Sequence, residues 1–353
     1  MVNLSSMDPE AKAQRPRVSV VVIFFNEEPF LQEAVDSILC QTLEDWELLL
    51  VDDGSTDGSS KIATQAVRKL PQKVRLLRHE RQVNRGMSAS RNLGLKYAQG
   101  EYVLFLDGDD VLTRTALSEQ VALMEAHPEV GTVYGPMRWW YEWNSDPHER
   151  RDFVQSLQVE PDAAIEGPTV LASFLRNEGA TPSGNLFRTS LVRAVGGFED
   201  AFKGMYEDQV FKVKFFLRFP VFVASRVWYI YRKHAGSCCA QAVTRNEIHE
   251  ARGQFLRWTV DYCRDHHVRH AQVWTALETA LYPYRHPCLV QLKTQISQYK
   301  SRLFWWLVDM AIPLARRVLP KTMRERIWSH VIRTENSEVN RGGLIAHEAR
   351  SRS

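Results

Sequence analysis

Paired cysteines are missing from this sequence. The five present, Cys40, Cys238, Cys239, Cys263 and Cys288, are odd in number and scattered, without the spacing of a zinc site or of a secreted disulfide framework. They read as reduced thiols, mostly core, in a cytosolic protein, with vicinal Cys238-Cys239 as two small apolar residues at a strand edge. A strong charge of one sign is missing too. The 45 Lys and Arg against 42 Asp and Glu leave +3, with both signs interspersed over most of the length, so no nucleic-acid footprint is present. The opening MVNLSSMDPEAKAQRPR has no apolar stretch, and no secretory signal is expected there. The most apolar later run, Leu303 to Ala315, carries Asp309 and Pro313 and is shorter than the roughly 20 residues a bilayer span requires. A cytoplasmic protein is the expectation.

What is present is core material. Over 353 residues, 44% are hydrophobic and 10% aromatic, enough for one large α/β domain with an appendage or for two ordinary domains. From Val18 to Val111 short apolar runs alternate with amphipathic stretches: VSVVVIFF, then EPFLQEAVDSILCQ, in which Phe30, Ala34, Ile38 and Leu39 recur at helical spacing; then WELLLVDD, SSKIATQAVRKL, VRLLRHE, MSASRNLGLKYAQ and YVLFLDGDD. The strand-like runs are nearly all apolar and do not alternate, as in strands covered by helices on both faces. A repeated β-α order of this kind predicts an α/β fold with a mostly parallel, doubly wound, Rossmann-like sheet. Further on, VGTVYGPMRWWYEW predicts one or two strands, Asn144 to Ile165 a surface excursion, GNLFR a short strand, TSLVRAVGGFED and YEDQVFKVKFFLR helices, and VFVASRVWYIYRKH strand. Only amphipathic helices follow, from about Thr244 to His330.

The polar residues of the first half fall at one kind of place. Asn26-Glu27-Glu28, Asp52-Asp53-Gly54-Ser55 and Asp107-Gly108-Asp109-Asp110 each end a predicted strand, where open α/β sheets bind ligands. Three carboxylates crowded around one glycine repel one another and call for something positive. Asp-Gly is also a turn signal, Asp also caps helices, and Asp-rich loops also bind calcium, although the regular ligand spacing of a helix-loop-helix calcium site is missing. Asp109 beside Asp107 suits a hard divalent cation that also holds a diphosphate. In VDDGSTDGSS, turn and cap chemistry accounts for Ser55, Thr56 and Asp57 but does not require Asp52-Asp53, which have acceptor capacity for a base N–H or a ribose hydroxyl.

VSVVVIFFNEEPFLQEAVDSILCQTLEDWELLLVDDGSTDGS, then NRGMSASRNLGLKYAQGEYVLFLDGDD, then GMYEDQVFKVKF, in that order and over roughly residues 17 to 235, resemble the family 2 glycosyltransferases, inverting nucleotide-sugar-dependent enzymes of the GT-A fold. The resemblance implies that Phe25 stacks the nucleobase, that Glu27 belongs to the donor-binding set, that Asp53 hydrogen-bonds uracil and that Arg91 contacts the nucleotide. It implies a DxD motif at Asp107 and Asp109, with Asp109 the direct metal ligand and Asp107 on the ribose or metal-bound water. His234 matches a histidine that helps hold the metal or diphosphate, with Arg232 beside it a further phosphate candidate, and Ser183-Gly184-Asn185 matches a segment near the donor sugar or acceptor. Asp208, in the Glu207-Asp208 pair, matches the general base. Each residue keeps a plainer alternative: Phe25 as core, Arg91 as half of an ion pair, Asp208 as a helix cap.

The implied enzyme uses Mn²⁺ or Mg²⁺ and moves a sugar, from a UDP-sugar first of all, to a glycan or lipid-linked glycan acceptor in polysaccharide or lipopolysaccharide synthesis. Two other classes compete. A sugar nucleotidylyltransferase resembles its relatives in a Gly-rich basic loop after the first strand, whereas FFNEEPF is acidic and has no glycine. A silent nucleotide-binding module would not need Asp53, Asp107, Asp109 and Asp208 together. The organisation expected is a flexible N-terminus (1–16), a catalytic domain (17–240) made of a nucleotide-binding half (17–112) and an acceptor and donor-sugar half (113–240), a helical extension (241–334) and a disordered tail (335–353). In the extension, Phe304, Trp305, Trp306 and Leu307 with Arg316, Arg317, Lys321, Arg324 and Arg326 suit either burial against the protein or peripheral contact with the inner face of an anionic membrane.

Overall fold

The computed structural model describes residues 15–144, 150–157, 159–176 and 184–292, together with 295 and 299. Its first half follows the alternation read from the sequence: β1 (Val18–Phe24), α1 (Leu31–Leu39), β2 (Trp46–Asp52), α2 (Ser59–Lys69), β3 (Val74–Arg78), α3 (Met87–Tyr97) and β4 (Tyr102–Asp107). Every residue of β1 and of β2 is buried, which is why neither run alternates. At Gly94 of α3 an added Cβ would lie 2.2 Å from Val21 Cγ1, so glycine there lets the helix settle onto β1.

The second half adds β5 (Val111–Leu112), α4 (Ala116–Ala126), β6 (Thr132–Tyr134), β7 (Met137–Trp140), β8 (Phe153–Val154), β9 (Ala163–Ile165), α5 (Gly167–Leu175), β10 (Leu186–Arg188), α6 (Thr189–Ala194), α7 (Glu207–Phe216), β11 (Val221–Val223) and β12 (Tyr229–Arg232); α8 (Cys238–Thr244), α9 (Ile248–Asp265) and α10 (Ala271–Arg285) follow. The large sheet runs β3-β2-β1-β4-β10-β6-β11-β9. Its first four strands are parallel, while β10 lies antiparallel between β4 and β6. From β1 the chain builds outward to β2 and β3, then returns to place β4 on the other flank. That reversal opens the crevice outside the carboxyl ends of β1 and β4, the usual ligand position in such sheets.

A second sheet, β5-β12-β7-β8, has no clear sequence signal. The run VFVASRVWYIYRKH divides between β11 in the large sheet and β12 in the small one, and the expected surface excursion from Asn144 to Ile165 contributes β8 and β9. One compact unit ends at Leu277 and a second begins at Glu278, and α8 and α9 lie within the first. The aromatic contacts show why: Phe255 of α9 stacks on Tyr206 at 5.3 Å and lies 6.1 Å from Phe174 of α5. The expected flexible N-terminus, apart from residues 15–16, the aromatic and basic segment from Leu303 onward, the tail from 335 and Ser183 lie outside the described residues. No described helix is long and apolar enough to cross a membrane. The cysteines correct an expectation, since only Cys263 is buried and the other four are exposed.

Candidate active site

The site starts from two loops that are stitched together. Asn26, at φ 57 after β1, accepts the Thr56 N–H and donates its own N–H to Ser55 Oγ. The Glu27 N–H donates to Ser59 Oγ, the Glu28 N–H to Asp57, and the Gly58 N–H to Glu28. The residues that resembled turn and cap chemistry in VDDGSTDGSS thus bond to the other loop as well as to their own. Phe25, just after β1, is left 43% exposed, so the core alternative for it does not hold. Asp53 is buried, and its carboxylate accepts the backbone N–H groups of Arg85 (2.7 Å) and Gly86 (2.9 Å), fixing the loop before α3.

At the end of β4 the three aspartates separate by environment. Asp110 is fully buried and accepts from the Tyr229 hydroxyl and, at 2.8 Å, from the Arg232 N–H. It fastens the turn to β12, although Asp107, Asp109 and Asp110 together also offer ligand atoms within 4.8 Å of one another. Asp109 stands 3.0 Å from His234 Nε2. Glu27, Asp109 and His234 each offer a ligand atom, all within 4.8 Å of one another. Two carboxylates and an imidazole make an oxygen-rich set suited to a divalent ion such as Mn²⁺. Burial first, and then the nearby Asp109, Asp107 and Asp57, push Glu27 up to about 8.

That crowding has a consequence for the metal-free protein. A native carboxyl that binds its proton more tightly than the unfolded chain does, near 4.5, contributes stability at low pH that is lost as pH rises through about 8. The thermal midpoint is expected to decline from pH 5 to pH 8, and Glu27→Gln to flatten that decline. Equal slopes for the two proteins would show that Glu27 is not the group responsible.

On the other side of the crevice, Arg91 of α3 is 3% exposed and holds two carboxylates: Nη2 donates to Asp107 at 2.5 Å and Nη1 to Glu207. The sequence reading gave Arg91 to the nucleotide; the structure spends its guanidinium on this bridge. Burial raises Asp107, against the opposing pull of Arg91 and with Asp109 adding to it, and burial likewise pushes Glu207 upward while Arg91 beside it pulls the other way. Glu207 Oε2 is buried without a hydrogen-bond partner among the described residues. Asp208 follows in the first turn of α7, its side chain 29% exposed, with Oδ2 accepting from Lys212 at 2.6 Å. No side-chain cap closes the N-terminus of α7, so the capping alternative for Asp208 finds no support. Arg232, the phosphate candidate, is 2% exposed and already bonded to Glu33 and to the Asp109 carbonyl.

A parallel nucleotide-binding half, an acidic turn at the crevice end of β4 and an acidic pair opening a helix across from it define a GT-A domain, the class to which nucleotide-sugar transferases belong. Residues 19–185, just under half of the chain, match the model of glycosyl transferase family 2. The chain is 39% identical over 112 residues to the putative glycosyltransferase EpsE of Bacillus subtilis, covering 32% of this chain and 40% of that protein. The chain therefore spans less than half of the curated relatives' length. Among solved structures, S. aureus TarS 1-349 in complex with UDP-GlcNAc matches with a TM-score of 0.52 at 23% identity, over 75% of this chain and 81% of that one. The mannosyltransferase PcManGT from Pyrobaculum calidifontis, in complex with GDP-Man and Mn²⁺, matches with a TM-score of 0.56 at 21% identity, over 89% and 83%. These likenesses are of fold.

Proposed function

We propose that this protein is a metal-dependent inverting glycosyltransferase that moves a sugar from a nucleoside-diphosphate sugar, a UDP-sugar first of all, to an acceptor hydroxyl of a glycan or lipid-linked glycan. The observation that carries the reading is the bridge Asp107–Arg91–Glu207. It ties the residue two before Asp109 to the residue just before Asp208, so the leaving-group side and the proton-accepting side are held by one guanidinium. The nucleotide sugars bound to the two solved relatives support a donor of this class.

In this reading Phe25 stacks the base, Asp53 and its loop border the base site, and Glu27, Asp109 and His234 hold the divalent ion. Bound there, Mn²⁺ or Mg²⁺ supplies charge neutralisation at the leaving diphosphate. Asp208 accepts the acceptor hydroxyl's proton as the oxygen attacks the anomeric carbon from the face opposite the diphosphate, which inverts the configuration. Lys212 occupies one oxygen of Asp208, and this orients the other toward its task.

Calorimetric titration with UDP, GDP and dTDP, each with and without Mn²⁺, tests the donor site. One diphosphate is expected to bind, at least tenfold more tightly with the metal than without it, and Asp109→Asn is expected to remove that metal-dependent gain. Equal binding with and without Mn²⁺ would overturn the metal assignment, and no binding of any diphosphate would leave the chain a GT-A fold without a donor.

A further inference from the structure

Arg232 has more partners than a surface cation needs. Its guanidinium is 2% exposed and lies 5.1 Å from the Phe30 ring centroid, 4.4 Å from that of Trp140 and 5.4 Å from that of Trp143. Nη2 donates to Glu33 at 2.7 Å, Nε donates to the backbone carbonyl of Asp109 at 2.8 Å, and its own N–H donates to the buried Asp110 carboxylate at 2.8 Å. Burying a guanidinium is costly unless its donors are met and its charge is compensated. Here the compensation comes from three separate parts of the fold: α1 with the residue before it, the turn after β4, and β7 with the short helix after it. They meet at one side chain.

The turn that accepts from Arg232 carries Asp109, and two residues beyond Arg232 on the chain stands His234, its Nε2 3.0 Å from Asp109 Oδ2 and its ring 4.4 Å from Phe30. The two residues read as ligands of one ion thus come from the turn between β4 and β5 and from the segment just after β12, β5 and β12 being neighbours in the small sheet, and a metal site tolerates little error in their spacing. Resting on the metal-dependent reading above, we propose that Arg232 is a positioning residue for the metal: by joining the Asp109 carbonyl to β12 inside an aromatic cage, it sets the separation of Asp109 and His234 and thereby the affinity for the divalent ion. In this role it acts through Asp109 and His234, its own donors being taken by Glu33, the Asp109 carbonyl and Asp110.

The test is Mn²⁺ titration of the full chain in the presence of saturating UDP, read by calorimetry, on the wild type, Arg232→Met, Arg232→Lys and, as a ligand control, Asp109→Asn. Methionine keeps apolar bulk among the three rings and removes every donor. It is expected to weaken Mn²⁺ binding by about 10- to 100-fold, the usual size of an outer-shell effect, and in an activity assay to raise the Mn²⁺ concentration giving half-maximal rate while the rate at saturating Mn²⁺ stays within a few-fold. Lysine keeps a cation in the cage but lacks the forked geometry that reaches Glu33 and the Asp109 carbonyl together. It is expected to recover most of the thermal midpoint lost in Arg232→Met without recovering Mn²⁺ affinity. If both variants bind Mn²⁺ as the wild type does while Asp109→Asn does not, the metal site stands and the role of Arg232 is refuted; Mn²⁺ affinity that merely tracks the thermal midpoint across the variants refutes it as well. If the wild type itself takes up no Mn²⁺ with UDP, the metal-dependent reading fails first and this one falls with it.

Discussion

Asp208→Asn is expected to lower the rate of sugar transfer by about 10²- to 10⁴-fold, the range contributed by a positioned general base, while metal-dependent UDP binding stays within about twofold. The amide keeps the shape of the side chain and loses the capacity to take a proton. The Lys212 contact at 2.6 Å survives only as a weaker bond to a neutral oxygen, so a small fall in thermal midpoint should accompany the change. The measurement is a steady-state comparison of transfer with nucleotide binding on the same preparations. Transfer near the wild-type rate would move the base to another residue and leave Asp208 as the partner of Lys212 alone.

The second large effect is on stability. Arg91→Met removes the one cation between Asp107 and Glu207, the latter buried with one oxygen already unpartnered. Breaking a buried ion pair by deleting one member costs about 3–5 kcal/mol, because the charge left behind is uncompensated. Chemical denaturation should show a loss of that size, with partial recovery in Arg91→Met combined with Glu207→Gln, which removes one of the two orphaned charges. A loss below about 1 kcal/mol would mean that water reaches the carboxylates and that the bridge is not the organising contact it resembles. The combined variant also separates stability from function, since Asp208 is untouched in it.

The parallel half of the fold was legible because its pattern is local. Seven-residue apolar runs separated by helical spacing leave few alternatives to strands covered on both faces, and the polar clusters fall at their carboxyl ends by the same rule. The acidic turn was legible for a different reason: Asp107, Asp109 and Asp110 repel unless something offsets them. What the sequence did not reveal is how unequally they are used. Nothing in LDGDD distinguishes the carboxylate buried on Tyr229, more than a hundred residues away, from the one facing His234. The ion pairs of Arg91 were hidden on the same account, since its partners Asp107 and Glu207 come from distant segments. The small sheet was missed because its strands are two to four residues long and drawn from four places in the chain, too short for any period to show.

The stitching of the two loops after β1 and β2 bears on how tightly a donor is held. Six bonds between Asn26, Glu27 and Glu28 on one side and Ser55 to Ser59 on the other mean that this floor beneath the base is already ordered when the ligand arrives. The conformational entropy of those residues is spent during folding, so nucleotide binding draws on it little, and affinity gained by such preorganisation shows mainly as slower release. The same stitching couples the two loops: a residue inserted in either is expected to misalign both.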